Sequence, residues 1–178
     1  MSSFTCYCKD TAPDKSKPLL DKSKNDFGMI PNLHGVMAES PAVLSAYQTL
    51  HDLALSTRFS DSEKTVIWQT VNIEHNCHYC LPVHSAIART MKVPETIDDA
   101  LRNHEDLDDA SLNALRDFTQ AVIRQRGRVK DQLPAFYQVG YQKQHVLEVI
   151  LSVSQKVMSN YINHITDTPL DQPFQKFA

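Results

Sequence analysis

No run of apolar residues in this chain is long enough to cross a membrane. Its opening stretch, MSSFTCYCKDTAPDKSK, also lacks the apolar segment of a secretory signal. Both absences make the cytoplasm the expected compartment. Charge of one sign is not in excess. The formal net charge of -3 offers nothing to nucleic acid or to an anionic membrane, so neither is expected as a partner. Glycine is scarce, with 4 residues in 178, and neither an internal repeat nor a low-complexity linker marks a second domain. A chain of this length buries a substantial core without disulfide staples. A single domain over 1–178 is therefore expected. Finally, no segment alternates apolar and polar residues with a period of two, which argues against strands.

What the chain does hold is helix signals. Ser40-Pro41 reads as an N-cap and a first-turn proline, opening a helix through Val43, Leu44, Tyr47 and Leu50. Ser60 and Glu63 are spaced as a capping box, ahead of a stripe of Val66, Ile67, Thr70 and Val71. Further helices are predicted over 82–91, over 110–126 with Gly127 as its C-terminal cap, and as a short piece over 134–139. A final long helix carries Val146, Val149, Ile150, Val153, Val157 and Tyr161 three and four apart. The predicted class is all-α. Residues 1–13 read as a polar, mobile leader whose Cys6 and Cys8 take no part in chemistry. The tail TDTPLDQPFQKFA, with two prolines, Phe174 and Phe177, reads as an extended arm over 166–178. It is either a frayed terminus or an arm packed on its own domain or on a neighbouring subunit.

The densest chemistry lies in EHNCHYCLPVHS, residues 74–85. Glu74 follows Ile67 and Val71 on the buried stripe of its helix: it is either partly desolvated, which raises its pKa and suits it to proton exchange near neutrality, or turned outward at the helix end and solvated. Pro82 marks the first turn of the next helix, so Cys77 and Cys80 fall at or just before a helix N-terminus, which favours thiolate. His84, four residues after Cys80, is within reach of its proton. The dipole alone favours Cys77 as the thiolate; the imidazole favours Cys80. Three readings compete. A closed structural zinc site has only three well-placed ligands here and needs a fourth. Small buried thiols beside a core histidine would be structural. A dithiol cycling through a Cys77–Cys80 disulfide is the favoured reading. His75 and His78 read as local polar residues.

The order Glu74, Cys77-x-x-Cys80, His84 on a helical chain of this length resembles the AhpD-like alkylhydroperoxidases of the carboxymuconolactone decarboxylase superfamily. FGMIPNLHGVMAESPAVLSAY before the motif and SNYINHITDTPLDQPF after it resemble one AhpD-like branch. The resemblance implies a helical domain that assembles into dimers, trimers or hexamers. It also implies a thiol-dependent peroxidase without haem, flavin or metal. By position, Cys80 would be the peroxidatic residue, Cys77 the resolving one, His84 the base and Glu74 the relay carboxylate. In the best-known members that carboxylate lies about three helical turns upstream of the first cysteine, where this chain has Thr65. Asn160 and His164, four apart in NYINH, either line a pocket or pair with backbone. The implied partners are a hydroperoxide and a reductant, whether a lipoyl-type dithiol, a thioredoxin-like protein or a small thiol. The rivals are a decarboxylase or lactone-processing enzyme, whose members lack the cysteine pair, and a thiol sensor that stops after one oxidation.

The two-residue spacing lets a sulfenic acid on one sulfur be trapped by the other. Mild peroxide should therefore remove two titratable thiols, with peptide mapping placing one disulfide at Cys77–Cys80 and leaving Cys6 and Cys8 free. A disulfide mapped elsewhere would overturn the pairing.

Overall fold

In a computed structural model, which describes residues 4–178, the chain is helical throughout, with no strand among the described residues. The first three residues of the expected leader lie outside the described residues. Three helices carry no strong sequence signal: α1 (Lys17–Phe27), α2 (Asn32–Met37) and, later, α6 (Glu95–Arg102). The others follow the reading above: α3 (Pro41–Leu55), α4 (Asp61–Glu74), α5 (Cys80–Thr90), α7 (Ala110–Arg124), α8 (Leu133–Gln138) and α9 (Lys143–Thr166). The capping box of α4 is present, with the Glu63 N–H donating to Ser60 Oγ and the Ser60 N–H donating to the Glu63 carboxylate. The Ser40 side chain, by contrast, caps nothing.

Helix α4 is the centre of the molecule. Every residue from Thr65 to Asn72 is buried, because α5, α6, α7 and α9 all pack on it. A helix surrounded in this way must satisfy its polar side chains internally. Gln69 Nε2 donates to Asp98 on α6 at 2.6 Å and reaches Ser85 Oγ at 3.2 Å and the Leu81 carbonyl at 3.3 Å. Asn72 Nδ2 reaches Gln69 Oε1 at 2.9 Å and the Cys80 carbonyl at 3.4 Å. These bonds fasten the first turn of α5 to α4.

Two apolar clusters flank this axis. One joins α4, α6, α7, α8 and the start of α9 through Val66, Leu101, Leu115 and Val149, with the Phe136 ring stacked between Phe118 and Tyr141 at 4.2 and 4.5 Å. The other joins α1, α2 and α3 to the cysteine loop through Leu20, Leu33, Leu44, Tyr47, Cys77, Tyr79 and Cys80. Helix α9 runs past both, and its burial departs from the predicted apolar stripe. Val149 is buried as expected, but Ile150 and Tyr161 face outward, together with Leu147 and Ile165 at 68% and 70% exposure. The buried face is instead polar, comprising Ser152, Gln155, Lys156, Ser159, Asn160, Asn163 and Thr166. The reason is position. The first turns of α9 meet the first apolar cluster; farther on, Met158 and Ile162 pack on the second, while Ser159 and Asn163 face the Cys80 sulfur.

Both ends of the described chain lie on the body. In the leader, the Tyr7 N–H donates to the Gly35 carbonyl, Tyr7 Oη to Glu39, and Cys6 Sγ sits 3.5 Å from Asn32. The C-terminal arm is not extended to its end. It closes in a 3-10 segment, Gln172–Phe177, packed on α5 of its own domain, with Arg102 Nη1 donating to the Phe177 carbonyl. Asp171 ties three elements together. It accepts from the Asn32 N–H at the start of α2 and, at 2.6 Å, from Tyr79 Oη in the cysteine loop. Asp171→Ala leaves the buried Tyr79 hydroxyl and the half-buried Asn32 N–H without this acceptor. It should cost about 1–3 kcal/mol in urea unfolding and speed proteolysis of the tail. Wild-type stability and protection would show that the arm is held elsewhere.

Candidate active site

Asn76 sets up the site. It takes a left-handed conformation (φ 49°), which ends α4 and lets the Cys77 N–H reach back to the Asn72 carbonyl at 2.9 Å. Asparagine visits this region more readily than most residues. The chain re-enters helix at Cys80, the first residue of α5, with Pro82 in the first turn. As the dipole argument expects, a helix-start N–H goes to the earlier sulfur: the Cys80 N–H donates to Cys77 Sγ at 3.3 Å. Both thiols are free, and both are buried, at 0% and 2% exposure.

Cys80 turns toward α9. Asn163 Nδ2 donates to its sulfur at 3.2 Å, and Ser159 Oγ lies at 3.8 Å. One turn earlier, Lys156 is 1% exposed, with its Nζ 2.7 Å from His84 Nε2. Among the described residues, no carboxylate pairs with Lys156. Burial pushes the Cys80 thiol up. The hydrogen bond from Cys77, the Lys156 charge, Ser159 and Asn163 outweigh that and bring it below an ordinary thiol. Cys77 moves the other way, raised by its bond to Cys80 and by burial. The helix-start N–H thus favours negative charge on Cys77, whereas the Lys156 charge, Ser159 and Asn163 favour it on Cys80.

His84 is not where direct proton transfer from Cys80 would put it. Its Nε2 faces Lys156, its ring lies 5.2 Å from that of Trp68, and it makes no hydrogen bond to either sulfur. Four-residue spacing puts the two side chains on one side of α5, but the thiol leans to Ser159 and Asn163 while the imidazole leans to Lys156. An ammonium has no lone pair to offer, so with Lys156 charged His84 accepts at Nε2 and carries its proton on Nδ1, which has no partner among the described residues. Burial, then the Lys156 and His51 charges, hold the ring well below its ordinary pKa and therefore neutral.

Glu74 is a correction. Its carboxylate turns to α7, accepting from Arg124 Nε at 2.7 Å, Arg124 Nη2 at 2.8 Å and Gln120 Nε2 at 2.6 Å. Burial pushes its carboxyl up, but Arg124 and Gln120 prevail and hold it below the usual glutamate value, opposite to the expected shift. It borders a separate cleft with Leu101, Arg116 and Gln120, and shares no hydrogen bond with Cys77, Cys80 or His84. Thr65 is buried on α4. His78 and His164 are exposed, whereas Asn160 is buried and bonds to His75 and the Val71 carbonyl. Lys156, Ser159 and Asn163 are the residues that the sequence reading missed. Their signal was present: S-x-x-Q-K-x-x-S-N-x-x-N repeats polar residues three and four apart, the pattern of a buried polar helix face.

Removing the Lys156 charge takes away a cation that favours thiolate, so the Cys80 titration must move upward. Lys156→Met should raise the midpoint of the ultraviolet thiolate signal by about one pH unit or more, roughly a tenfold loss of thiolate per unit. Glu74→Gln should leave that midpoint where it is. The reverse pattern would return Glu74 to the site.

The sequence matches no family model and no curated protein sequence. Solved structures do match. A peroxidase-related protein with the alkylhydroperoxidase AhpD core from Ralstonia eutropha JMP134 has a TM-score of 0.81 at 19% identity, covering 97% of this chain and 94% of its own. A peroxidase-related protein from Silicibacter sp. TM1040 gives 0.81 at 18%, covering 99% and 97%. The debrominase Bmp8 gives 0.83 at 17%, covering 99% and 96%, and a variant of it has been solved in complex with 2,3,4-tribromopyrrole. At these identities the likeness concerns the fold, and the chain has the all-α AhpD-like fold.

Proposed function

We propose that the protein is a thiol-dependent peroxidase. The observation that carries this reading is Cys80, whose environment favours thiolate, set three residues from a second free thiol. The Cys80 thiolate attacks one oxygen of a hydroperoxide, the O–O bond breaks, and the alkoxide leaves as an alcohol after taking a proton. The hydrogen-bonded Lys156–His84 pair is the proton source beside it. Cys80 is then a sulfenic acid. The Cys77 thiol displaces water from it to give the disulfide, and an external dithiol restores both thiols by exchange. Cys77, with its raised pKa, remains a protonated thiol that can deliver the second proton to the departing water.

A second reading draws on the debrominase that shares the fold. The same dithiol holds the two electrons that replace a carbon–bromine bond by carbon–hydrogen, releasing bromide and leaving the disulfide. The intact cysteine pair argues against a decarboxylase or lactone-processing role.

With excess dithiothreitol and hydrogen peroxide, the wild-type protein should consume many equivalents of peroxide per chain, and Cys80→Ser none. Consumption that stops at one equivalent would identify a sensor. Bromide release from a bromoarene without peroxide turnover would favour the second reading. Because the reacting form is thiolate, the rate should already be near its plateau below the pH at which a free cysteine titrates.

A further inference from the structure

A cavity of about 400 Å³ opens beside His84, within the size range of small-molecule sites. Its wall is mainly aromatic and aliphatic, with Phe27, Leu33, Trp68, Val83 and Ile87 from the body and Phe174 from the C-terminal segment. No lysine or arginine lines it, and its single carboxylate is Asp26. Three imidazoles, His34, His51 and His84, complete the lining. Burial is the main cause that pushes His34 down to about 3 and His51 to about 4, so at neutral pH the rings offer hydrogen-bonding edges without charge. Leu33, Tyr47 and Tyr79 line the cavity and also belong to the cluster that packs Cys77 and Cys80. The cavity therefore lies one layer of side chains from the thiols.

We infer that this cavity binds a small, uncharged organic molecule bearing one or two rings, and that it discriminates against carboxylates. Flat aromatic walls favour a ring. An anion entering here would shed water and find no cation in the wall, where the one carboxylate, Asp26, already holds Lys22 at 2.6 Å. As the site of the reacting molecule, the inference rests on the thiol reading above; as a binding site it stands alone.

Trp68 is the only tryptophan in the chain, so its fluorescence reports on the cavity directly. Two single-ring probes of similar size test the charge preference: cumyl alcohol, which is neutral, and 4-isopropylbenzoate, which is anionic. Cumyl alcohol should change Trp68 emission saturably in wild type and in Cys80→Ser, with 4-isopropylbenzoate binding at least tenfold more weakly. Ala86→Phe, which fills the cavity from α5, should abolish the response. If that variant does not fold, Thr90→Phe at an exposed position of the wall should weaken it. No saturable change with cumyl alcohol, equal binding of the two probes, or an undiminished response in a folded filling variant would overturn the inference. Cumyl alcohol binding without peroxide turnover would remove the peroxidase reading alone. Turnover of hydrogen peroxide without a Trp68 response would remove this inference alone.

Discussion

An ammonium group buried inside a helical bundle without a carboxylate is the constraint on which the rest of this site depends. Taking a charge out of water costs several kcal/mol even after relaxation, unless an opposite charge or strong acceptors answer it. Around Lys156 the answer is His84 Nε2 at 2.7 Å and the field of the Cys80 sulfur. Three features follow from this one charge. His84 stays neutral because a second proton would put two cations side by side in a buried space. Cys80 leans to thiolate although burial opposes it. The polar face of α9 turns inward, with Lys156 on His84 and Ser159 and Asn163 on the Cys80 sulfur.

Such an arrangement works only if the loop cannot drift, and α4 prevents that. Gln69 and Asn72 hold the Leu81 and Cys80 carbonyls, and Asn76 turns the chain so that Cys77 and Cys80 share one pocket. On the far side, Tyr79 is held by Asp171, which also accepts from the start of α2. The loop is thus fastened by side chains from α4, α9 and the C-terminal segment. The same C-terminal segment contributes Phe174 to the cavity wall, so what anchors the thiols also shapes the space beside them.

Solved structures that share this fold at 16–19% identity include peroxidase-related proteins and a debrominase. Peroxide reduction and reductive debromination each require two electrons, and a cysteine pair supplies that number. What separates such reactions is the space the substrate occupies and the proton source beside it. In the function proposed above, those roles fall to the largely aromatic and aliphatic cavity and to the Lys156–His84 pair.

Local signals in the sequence determined most of the helices. The capping box at Ser60 and Glu63, the proline positions and the apolar spacing of α7 need only neighbours along the chain. The Cys77-x-x-Cys80 pair at a helix start was legible for the same reason. Three-dimensional packing decided the rest. Glu74 lies on a stripe that sequence reads as buried, yet at the end of α4 that stripe faces α7, where Arg124 and Gln120, 46 to 50 residues away, claim the carboxylate. His84 is four residues from Cys80, but its partner is Lys156, 72 residues on. Periodicity tells which residues share a face; it does not tell what that face meets. Where α9 meets an apolar cluster it buries Val149, and where it meets two thiols it buries a lysine.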